Sequence, residues 1–396
     1  QKEAIRKALS AENYFLIQGP PGTGKTHTLA KLIIELVNKG NRVLLSAFTH
    51  RSIDNVLLKL LENDFHDFIR IGSHEITIPQ VHPYLLQEKI KDYEFEEVDK
   101  IREFIKESKV VACTSSGAMT SDVIKNLNFD FAVIDEAGQL TQPGAICVIL
   151  NADKFILVGD HKQLPPVVQS DKAKEKLSES LFERLIDLNR ENISDVMVTL
   201  DEQYRMNEAI MDYPNQNFYN FMLKAHESNS SHTLSLDKSH FDSNFREILN
   251  PDNTMVFINF ESRSTFKVNQ KQAEFITMLV QEFVKHGLAP EKIGVITPFR
   301  AQVAEIRRSI ISSPENIEAV TIDTVDRFQG SDRDLIIFSS VISDEEQVTD
   351  FFSDFRRINV SITRAKKKFI LVGDKEILSA SELFYKLIRS SKQVFL

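Results

Sequence analysis

The stretch Gly19-Pro20-Pro21-Gly22-Thr23-Gly24-Lys25-Thr26 decides how this chain is read. It fits the pattern G-x-x-x-x-G-K-[ST] at every position. Apolar Tyr14-Phe15-Leu16-Ile17 precedes it and reads as a buried strand. Leu29, Leu32, Ile33 and Leu36 follow at helical spacing. Strand, glycine loop and helix in that order suit phosphate binding. The glycines let backbone N–H groups turn toward phosphate oxygens, and the helix N-terminus adds partial positive charge. Lys25 is placed to reach the outer phosphates and Thr26 to hold Mg²⁺. A Gly-Pro turn without ligand is the bland alternative, and the full match argues against it.

Outward from this loop, short apolar runs alternate with helical patterns. Val43-Leu44-Leu45, Val110-Val111-Ala112, Phe131-Ala132-Val133-Ile134 and Phe155-Ile156-Leu157-Val158 complete a first set of strands. A second set reads at 256–258, 293–296, 319–322, 335–338 and 369–372. Near-continuous apolar strands separated by helices imply an α/β fold with parallel sheets covered on both faces. Two domains are expected, 1–195 and 196–396, as an architectural echo without a sequence repeat. Residues 62–108 break the alternation and read as a short helical insertion, turn-rich around Pro79 and Pro83 and helical from Glu88 to Lys109. Residues 223–252 are polar and read as a mobile loop.

The second chemical signal is Val133-Ile134-Asp135-Glu136-Ala137. Asp135 ends a buried strand, which brings its carboxylate to the carboxyl edge of the sheet, where α/β proteins bind ligands. Asp135 suits Mg²⁺ coordination, and Glu136 suits orientation or deprotonation of an attacking water. Glycine loop and acidic pair together specify a P-loop NTPase. Kinases, transporter ATPases and AAA+ machines share that much.

Composition narrows little. Hydrophobic residues are 42% and charged residues 27%, as in ordinary soluble globular proteins. No apolar run approaches the roughly 20 residues of a membrane span, so an intracellular, soluble protein is expected, nuclear in a eukaryote and cytoplasmic in a prokaryote. The net charge of −9 argues against nucleic-acid binding by bulk charge alone and leaves room for a local basic groove. Cys113 and Cys147 lie in apolar stretches and read as core thiols; two cysteines cannot supply a four-cysteine metal or iron–sulfur site. The chain opens on Gln1 and so reads as a piece of something longer.

The remaining motifs carry a specific resemblance. Ser46-Ala47-Phe48-Thr49-His50, Asp135-Glu136-Ala137-Gly138-Gln139 and Leu157-Val158-Gly159-Asp160-His161-Lys162-Gln163-Leu164-Pro165-Pro166 occur in the first half. Glu202-Gln203-Tyr204-Arg205-Met206, Ile296-Thr297-Pro298-Phe299-Arg300, Thr324-Val325-Asp326-Arg327-Phe328-Gln329-Gly330 and Arg356-Arg357-Ile358-Asn359-Val360-Ser361-Ile362-Thr363-Arg364-Ala365 follow in the second. In this order they resemble the motif series of superfamily-one helicases, in the branch that holds the nonsense-mediated-decay helicase and the replication helicase–nucleases. The wording of Thr49–Leu60, Ser178–Phe182 and Gln203–Asn207 is most similar to the helicase–nucleases. Their nuclease lies upstream of the motor and uses a four-cysteine cluster, and neither is in this chain.

The resemblance implies two tandem RecA-like domains with ATP bound between them. It assigns Gln1, Gly19, Pro20, Gly22, Thr23, Gly24, Lys25, Thr26, Tyr204, Gly330 and Asp332 to the nucleotide, with Asp332 standing where the family usually has a ribose-contacting Glu. It makes Arg205 and Arg364 the γ-phosphate arginines and Gln163 the sensor that links phosphate to strand. It lays Thr49, Thr114, Pro298, Phe299, Thr321 and Thr324 along a single strand, with Arg356, Arg357, Lys366, Lys367 and Lys368 as local positive charge. The implied activity is an ATP-dependent helicase or translocase, a monomeric motor on DNA in replication or repair, moving five-prime to three-prime. An RNA helicase of the decay type and a nucleotide-gated scaffold without turnover remain as alternatives.

Overall fold

Apolar runs form the centre of each sheet. The computed structural model describes residues 1–395 apart from 94–97, 126, 238–241, 243, 244, 263, 264 and 266. It divides into two units, Gln1–Asp201 and Glu202–Leu396.

The first unit holds β1 (Tyr14–Gln18), β2 (Val43–Ala47), β3 (Phe68–Arg70), β4 (Val110–Thr114), β5 (Phe129–Asp135), β6 (Ala152–Gly159) and β7 (Met197–Thr199). They make one parallel sheet in the order β3-β4-β2-β5-β6-β1-β7. Ile17, Leu45, Val133 and Ile156 face the helix Lys25–Asn38 through Leu29, Leu32 and Ile33. Leu16, Leu44, Ala132 and Leu157 face the opposite layer, with Val148 and Phe182. The middle positions of the central strands are therefore apolar on both faces, and each buried Val, Leu, Ile or Phe contributes about 1.5–3 kcal/mol.

Two differences from the sequence reading concern short edge strands. Met197–Thr199 pairs with β1, so the first unit continues past the expected division at 195/196. Residues 62–108 are not simply helical, because Phe68–Arg70 joins the sheet beside β4. Beyond it come a 3₁₀ turn, Pro79–Tyr84, and the helices Leu86–Lys89 and Val98–Glu107. The long helix expected from Glu88 to Lys109 falls partly on 94–97, outside the described residues.

The second unit holds a two-stranded parallel pair, β8 (Glu202–Gln203) with β9 (Lys224–Ala225). Its main sheet is β10 (Met255–Asn259), β11 (Ile293–Thr297), β12 (Thr321–Thr324), β13 (Arg333–Ser339), β14 (Ala365–Gly373) and β15 (Lys392–Phe395). The order is β12-β11-β13-β14-β10-β15, all parallel. Strand β12 starts two residues later than expected, because Thr321 pairs with Gly294. Residues 223–252 are more than a loop: β9 lies there, and the helix Arg246–Leu249 buries Ile248 and Leu249 in the core. The part of that segment at 238–241, 243 and 244 lies outside the described residues.

The echo between the units reaches the sequence itself, contrary to expectation. Lys154-Phe155-Ile156-Leu157-Val158-Gly159-Asp160 recurs letter for letter as Lys368-Phe369-Ile370-Leu371-Val372-Gly373-Asp374. The first copy lies in β6 beside β1, the second in β14 beside β10, with Tyr14↔Phe155 matching Met255↔Phe369.

Candidate functional site

Strand register lines up the chemistry of the first unit. Thr114, Ala47 and Asp135 stand level across β4, β2 and β5; Gly159, Gln18 and Thr199 stand level across β6, β1 and β7. All lie at the carboxyl edge. The glycine loop leaves this edge from β1, where the Gly19 N–H donates to the Gly159 carbonyl at 2.9 Å. Gly22 and Gly24 take φ of 79° and 78°, a left-handed backbone that favours glycine. A Cβ on Gly19 would lie 2.0 Å from Lys25 Cγ, so the lysine stem crosses the loop where no side chain fits. Lys25 Nζ donates to the Gly19 carbonyl at 2.6 Å, and Thr23 Oγ1 to the Pro20 carbonyl at 2.7 Å. Gln1 Nε2 donates to the Thr23 carbonyl at 3.1 Å, which pins the first residue against the loop. Thr26 is half-buried at the second position of the helix.

Asp135 is buried and Glu136 follows it at φ 50°. The Glu136 N–H donates to Asp135 Oδ1 at 2.9 Å. Burial pushes the Asp135 carboxyl up to about 7, the Glu136 carboxylate adds to this, and Lys25 pulls the other way. Lysine and carboxylate thus sense each other across the loop. Gln139 Nε2 reaches Glu136 Oε2 at 3.4 Å.

The segment after β6 packs directly on this turn. A Cβ on Gly159 would meet the Gly138 nitrogen at 2.9 Å, and one on Gly138 the Asp160 carbonyl at 3.1 Å. Asp160 is buried and receives Gln163 Nε2 at 2.8 Å and Gln18 Nε2 at 3.4 Å. Gln18 Oε1 in turn accepts the Thr199 hydroxyl at 3.1 Å. Gln163 is therefore held by a carboxylate that also reaches the strand leading into the glycine loop. Gln18 and Thr199 were not singled out by sequence reasoning, which had no way to see three adjacent strand ends.

Thr49 and Thr114 stand at neighbouring strand ends and cap helices: Thr49 Oγ1 accepts from Ser52 N at 3.2 Å and Thr114 Oγ1 from Gly117 N at 3.1 Å. Beneath Thr49 lies a second feature the sequence did not show. Arg70 and Asp54 are fully buried and paired at 3.0 Å. Arg70 Nη2 lies 2.9 Å from His50 Nδ1, and Asp54 Oδ2 accepts from Ile78 N at 3.1 Å. Burial, then Arg70, lower the His50 pKa. This network ties the helix after Thr49 to β3 and the turn beyond it. Removing one partner of a buried pair costs about 3–5 kcal/mol.

The second unit gathers cations. Arg205 Nε pairs with Asp332 at 3.1 Å and its Nη1 donates to the Thr363 carbonyl at 3.2 Å. Lys366 Nζ reaches the other Asp332 oxygen at 2.6 Å. Burial pulls the Asp332 pKa up, but Arg205, Lys366 and Arg364 together hold it below the usual carboxylate range. Arg364 is buried, its guanidinium on the carbonyls of Val360 and Ser331 and the Thr363 hydroxyl. Gly330 turns at φ 80° just before this group. Tyr204 is not a core tyrosine: it is exposed, tilted 4.6 Å from the His226 ring, and its hydroxyl donates to Glu202 at 2.5 Å, which raises its pKa.

Pro298, Phe299 and Thr324 cluster at the carboxyl edge, since Thr297 pairs with Thr324. Thr321 does not join them. It stands at the amino end of β12, and its hydroxyl accepts from Arg333 Nη2 at 2.7 Å. The lysines 366–368 do not form a free basic stretch either. Lys366 is on Asp332, Lys367 pairs with Asp334 at 3.0 Å, and Lys368 is buried on the carbonyls of Asn250 and Asn253. Arg357 is on Asp326 at 2.7 Å. Cys113 is buried, its thiol pushed up to about 12 by burial. Among the described residues no helix is long and apolar enough to cross a membrane.

Two family models, each described as an AAA domain, match the chain, one over residues 1–97 and 86–171 and the other over 177–376. The chain is similar to a DNA replication ATP-dependent helicase/nuclease of Arabidopsis thaliana, 37% identical over 99% of this chain and 29% of that protein. A Xenopus laevis protein of the same description is 34% identical over 99% of this chain and 38% of its own length. An uncharacterized ATP-dependent helicase of Methanocaldococcus jannaschii is 33% identical over 100% of this chain and 70% of that protein. The chain thus spans less than half of either helicase/nuclease. Among solved structures, arterivirus nonstructural protein 10 (helicase) in complex with DNA has the same fold, with TM-score 0.50 at 14% identity over 96% of this chain and 65% of that one.

Proposed function

The chain belongs to the superfamily-one helicases, among relatives of the replication helicase/nucleases, and on that premise we propose that it is an ATP-hydrolysing motor that moves along single-stranded nucleic acid, DNA before RNA. The observation that carries this reading is the carboxyl edge of the first sheet. There a glycine loop, Lys25, a buried Asp135 and an adjacent Glu136 stand along one edge.

Each residue has a task that follows from its position. Backbone N–H groups of the loop and the start of the helix Lys25–Asn38 hold the phosphates. Lys25 exchanges the Gly19 carbonyl for a phosphate oxygen. Glu136 orients the attacking water and takes its proton. Asp160 fixes Gln163, so that a change at the phosphate end is felt at the threonines of the same edge. Arg205 and Arg364 neutralise charge on the transferred phosphate, as always-charged planar donors. Tyr204, an exposed ring, stacks on the base, and Gln1 borders the loop on the same account.

The oxygens present fit Mg²⁺. Asp135 is a buried carboxylate whose raised pKa a nearby dication would relieve, and Thr26 offers a hydroxyl one residue after Lys25. One carboxylate, one hydroxyl and substrate phosphates are an ordinary magnesium donor set. When bound, the ion would offset charge on the outer phosphates.

The test is ATP turnover with and without single strands. Stimulation by single-stranded DNA, lost in Lys25→Ala, is expected. Equal turnover in that variant removes the phosphate loop from the chemistry. Stimulation by RNA alone favours the RNA-helicase alternative, and nucleotide binding without turnover favours the scaffold.

A further inference from the structure

The helix Arg300–Ile311 starts at the carboxyl end of β11, directly after Phe299. Residues 300, 303, 304, 307, 308 and 311 fall on one face of it, at three- and four-residue spacing. With Asp323 and Arg327 they line an open groove of about 500 Å³. Four guanidinium groups, Arg300, Arg307, Arg308 and Arg327, face a single lining carboxylate, Asp323. The chain as a whole carries −9, so this is a local reversal of its charge.

Two of the four are anchored. Arg307 Nη2 donates to the Ile322 carbonyl at 2.7 Å, and Arg308 pairs with Glu305 at 2.6 Å. No hydrogen bond or ion pair to another described residue engages the guanidinium of Arg300 or Arg327, and both residues are exposed. Like charges gathered this way repel unless an anion lies among them. Asp323 is occupied by the Thr324 N–H at 2.8 Å. Ile311 stands exposed at the far end, an apolar surface beside the cations.

From Arg300 to Arg308 the helix rises roughly 12 Å. That exceeds one phosphate and suits successive phosphates of a chain. Arginines on a helix face grip phosphate oxygens, contacts that position a chain without reading its sequence. We propose that this groove binds the sugar–phosphate backbone of a single nucleic-acid strand, continuing a path that begins at Pro298, Phe299 and Thr324. The proposal rests on the strand-motor reading above and adds a binding site to it.

The experiment compares the wild-type chain with Arg300→Gln/Arg327→Gln by fluorescence anisotropy on labelled single-stranded DNA and RNA over a range of salt. The expected result is an affinity loss on the order of tenfold, with the slope of log affinity against log salt shallower by about 1.4, roughly 0.7 for each lost phosphate contact. Arg300→Lys/Arg327→Lys should keep most of the affinity, and strand-free ATP turnover should not change in either variant. Unchanged affinity and slope in the glutamine variant, with a wild type that binds, overturn the groove and leave the motor reading standing. A loss confined to DNA or to RNA overturns backbone recognition. A wild type that binds neither strand overturns both readings.

Discussion

One heptapeptide, Lys-Phe-Ile-Leu-Val-Gly-Asp, is used twice in this chain, and the two copies sit in unlike chemistry. In each unit its strand pairs with the strand at the head of the sheet, and the residue after that strand donates its N–H to the motif's glycine carbonyl: Gly19 to Gly159, Phe260 to Gly373. The motif's lysine also caps backbone carbonyls at the entry to that strand, Ala11 in one case and Asn250 and Asn253 in the other. The scaffolds agree to this level of detail. They diverge at the carboxyl edge. Where β5 ends in Asp135 and Glu136, the matching strand β13 is followed through Ser339 and Ser340. Where Asp160 collects Gln18 and Gln163, Asp374 caps a helix by accepting from Glu376 and Ile377 N–H groups. The first unit places glycine and carboxylates at its carboxyl edge, whereas in the second Arg364 stands just before β14, at the amino end of that strand. A parallel sheet supplies an edge for ligands; the residues at strand ends decide what chemistry is done there.

The largest effect expected from breaking this asymmetry is on turnover. Arg364→Ala should lower strand-stimulated ATP hydrolysis by about 10³–10⁵-fold with ATP affinity largely kept. Ser340→Ala, at the second-unit counterpart of Glu136, should leave the rate within a small factor. Steady-state rates for both variants check the contrast. A Ser340 variant as slow as the Arg364 variant would mean that the second sheet has chemistry of its own.

The next effect is on stability and separates the two glycines of the repeat. A methyl on Gly159 meets backbone, the Gly138 nitrogen at 2.9 Å; a methyl on Gly373 meets side chains, Ser340 Oγ at 2.3 Å and Leu378 Cδ1 at 2.7 Å. Both alanine variants should lose roughly 1–3 kcal/mol from overpacking. Ser340→Gly should restore part of the loss in Gly373→Ala. No single side-chain deletion should do the same for Gly159→Ala, since backbone cannot be trimmed. Denaturant midpoints of the single and double variants decide it, and equal rescue at both sites would contradict the geometry.

These particulars also show what a linear reading can reach. The central strands were legible because burial on both faces leaves a continuous apolar run, and the glycine loop because its function needs adjacent residues. The edge strands β3 and β7 are three residues each, too short to show a period. The resemblance lays Thr321 along the single strand, but its place at the amino end of β12 follows from pairing with Gly294, a long-range fact. The Asp54–Arg70–His50 network joins residues 16 to 20 positions apart, and nothing local marks Arg70 as buried. The lysines 366–368 read as local positive charge, yet each has a separate acceptor, fixed by strands and loops away from the run itself.

Asp332 sharpens the comparison on the cationic side. The family position is a ribose contact, but here the carboxylate holds Arg205 and Lys366. Asp332→Asn should therefore lower turnover by about tenfold, with little further loss when combined with Arg205→Ala, because residues sharing one ion pair are non-additive. Its effect should be the same with ATP and with a 3′-deoxy analogue. Full additivity with Arg205→Ala and loss of discrimination between the two nucleotides would restore the ribose role.

The smallest effect belongs to the repeat's second lysine. Lys368 is fully buried, and desolvation lowers its pKa to about 7, against a weaker opposing pull from Asp252. In the unfolded chain a lysine titrates near 10.4. Below pH 7 both states carry the proton and the burial penalty is at its full value. Between pH 7 and 10 the unfolded chain keeps a proton that the folded chain has released, so this residue makes stability rise with pH, by up to about 1.4 kcal/mol per unit. Lys368→Met removes the titration and leaves the carbonyls of Asn250 and Asn253 without their donor. The variant should thus lack the wild-type gain between pH 7.5 and 9.5, two values roughly inside the window set by those two pKa values. Denaturant unfolding of the whole chain at both pH values measures it. Parallel curves for wild type and variant would mean that Lys368 stays charged on its carbonyls when folded, so that this copy of the motif buries a salt-like cap rather than a neutral amine.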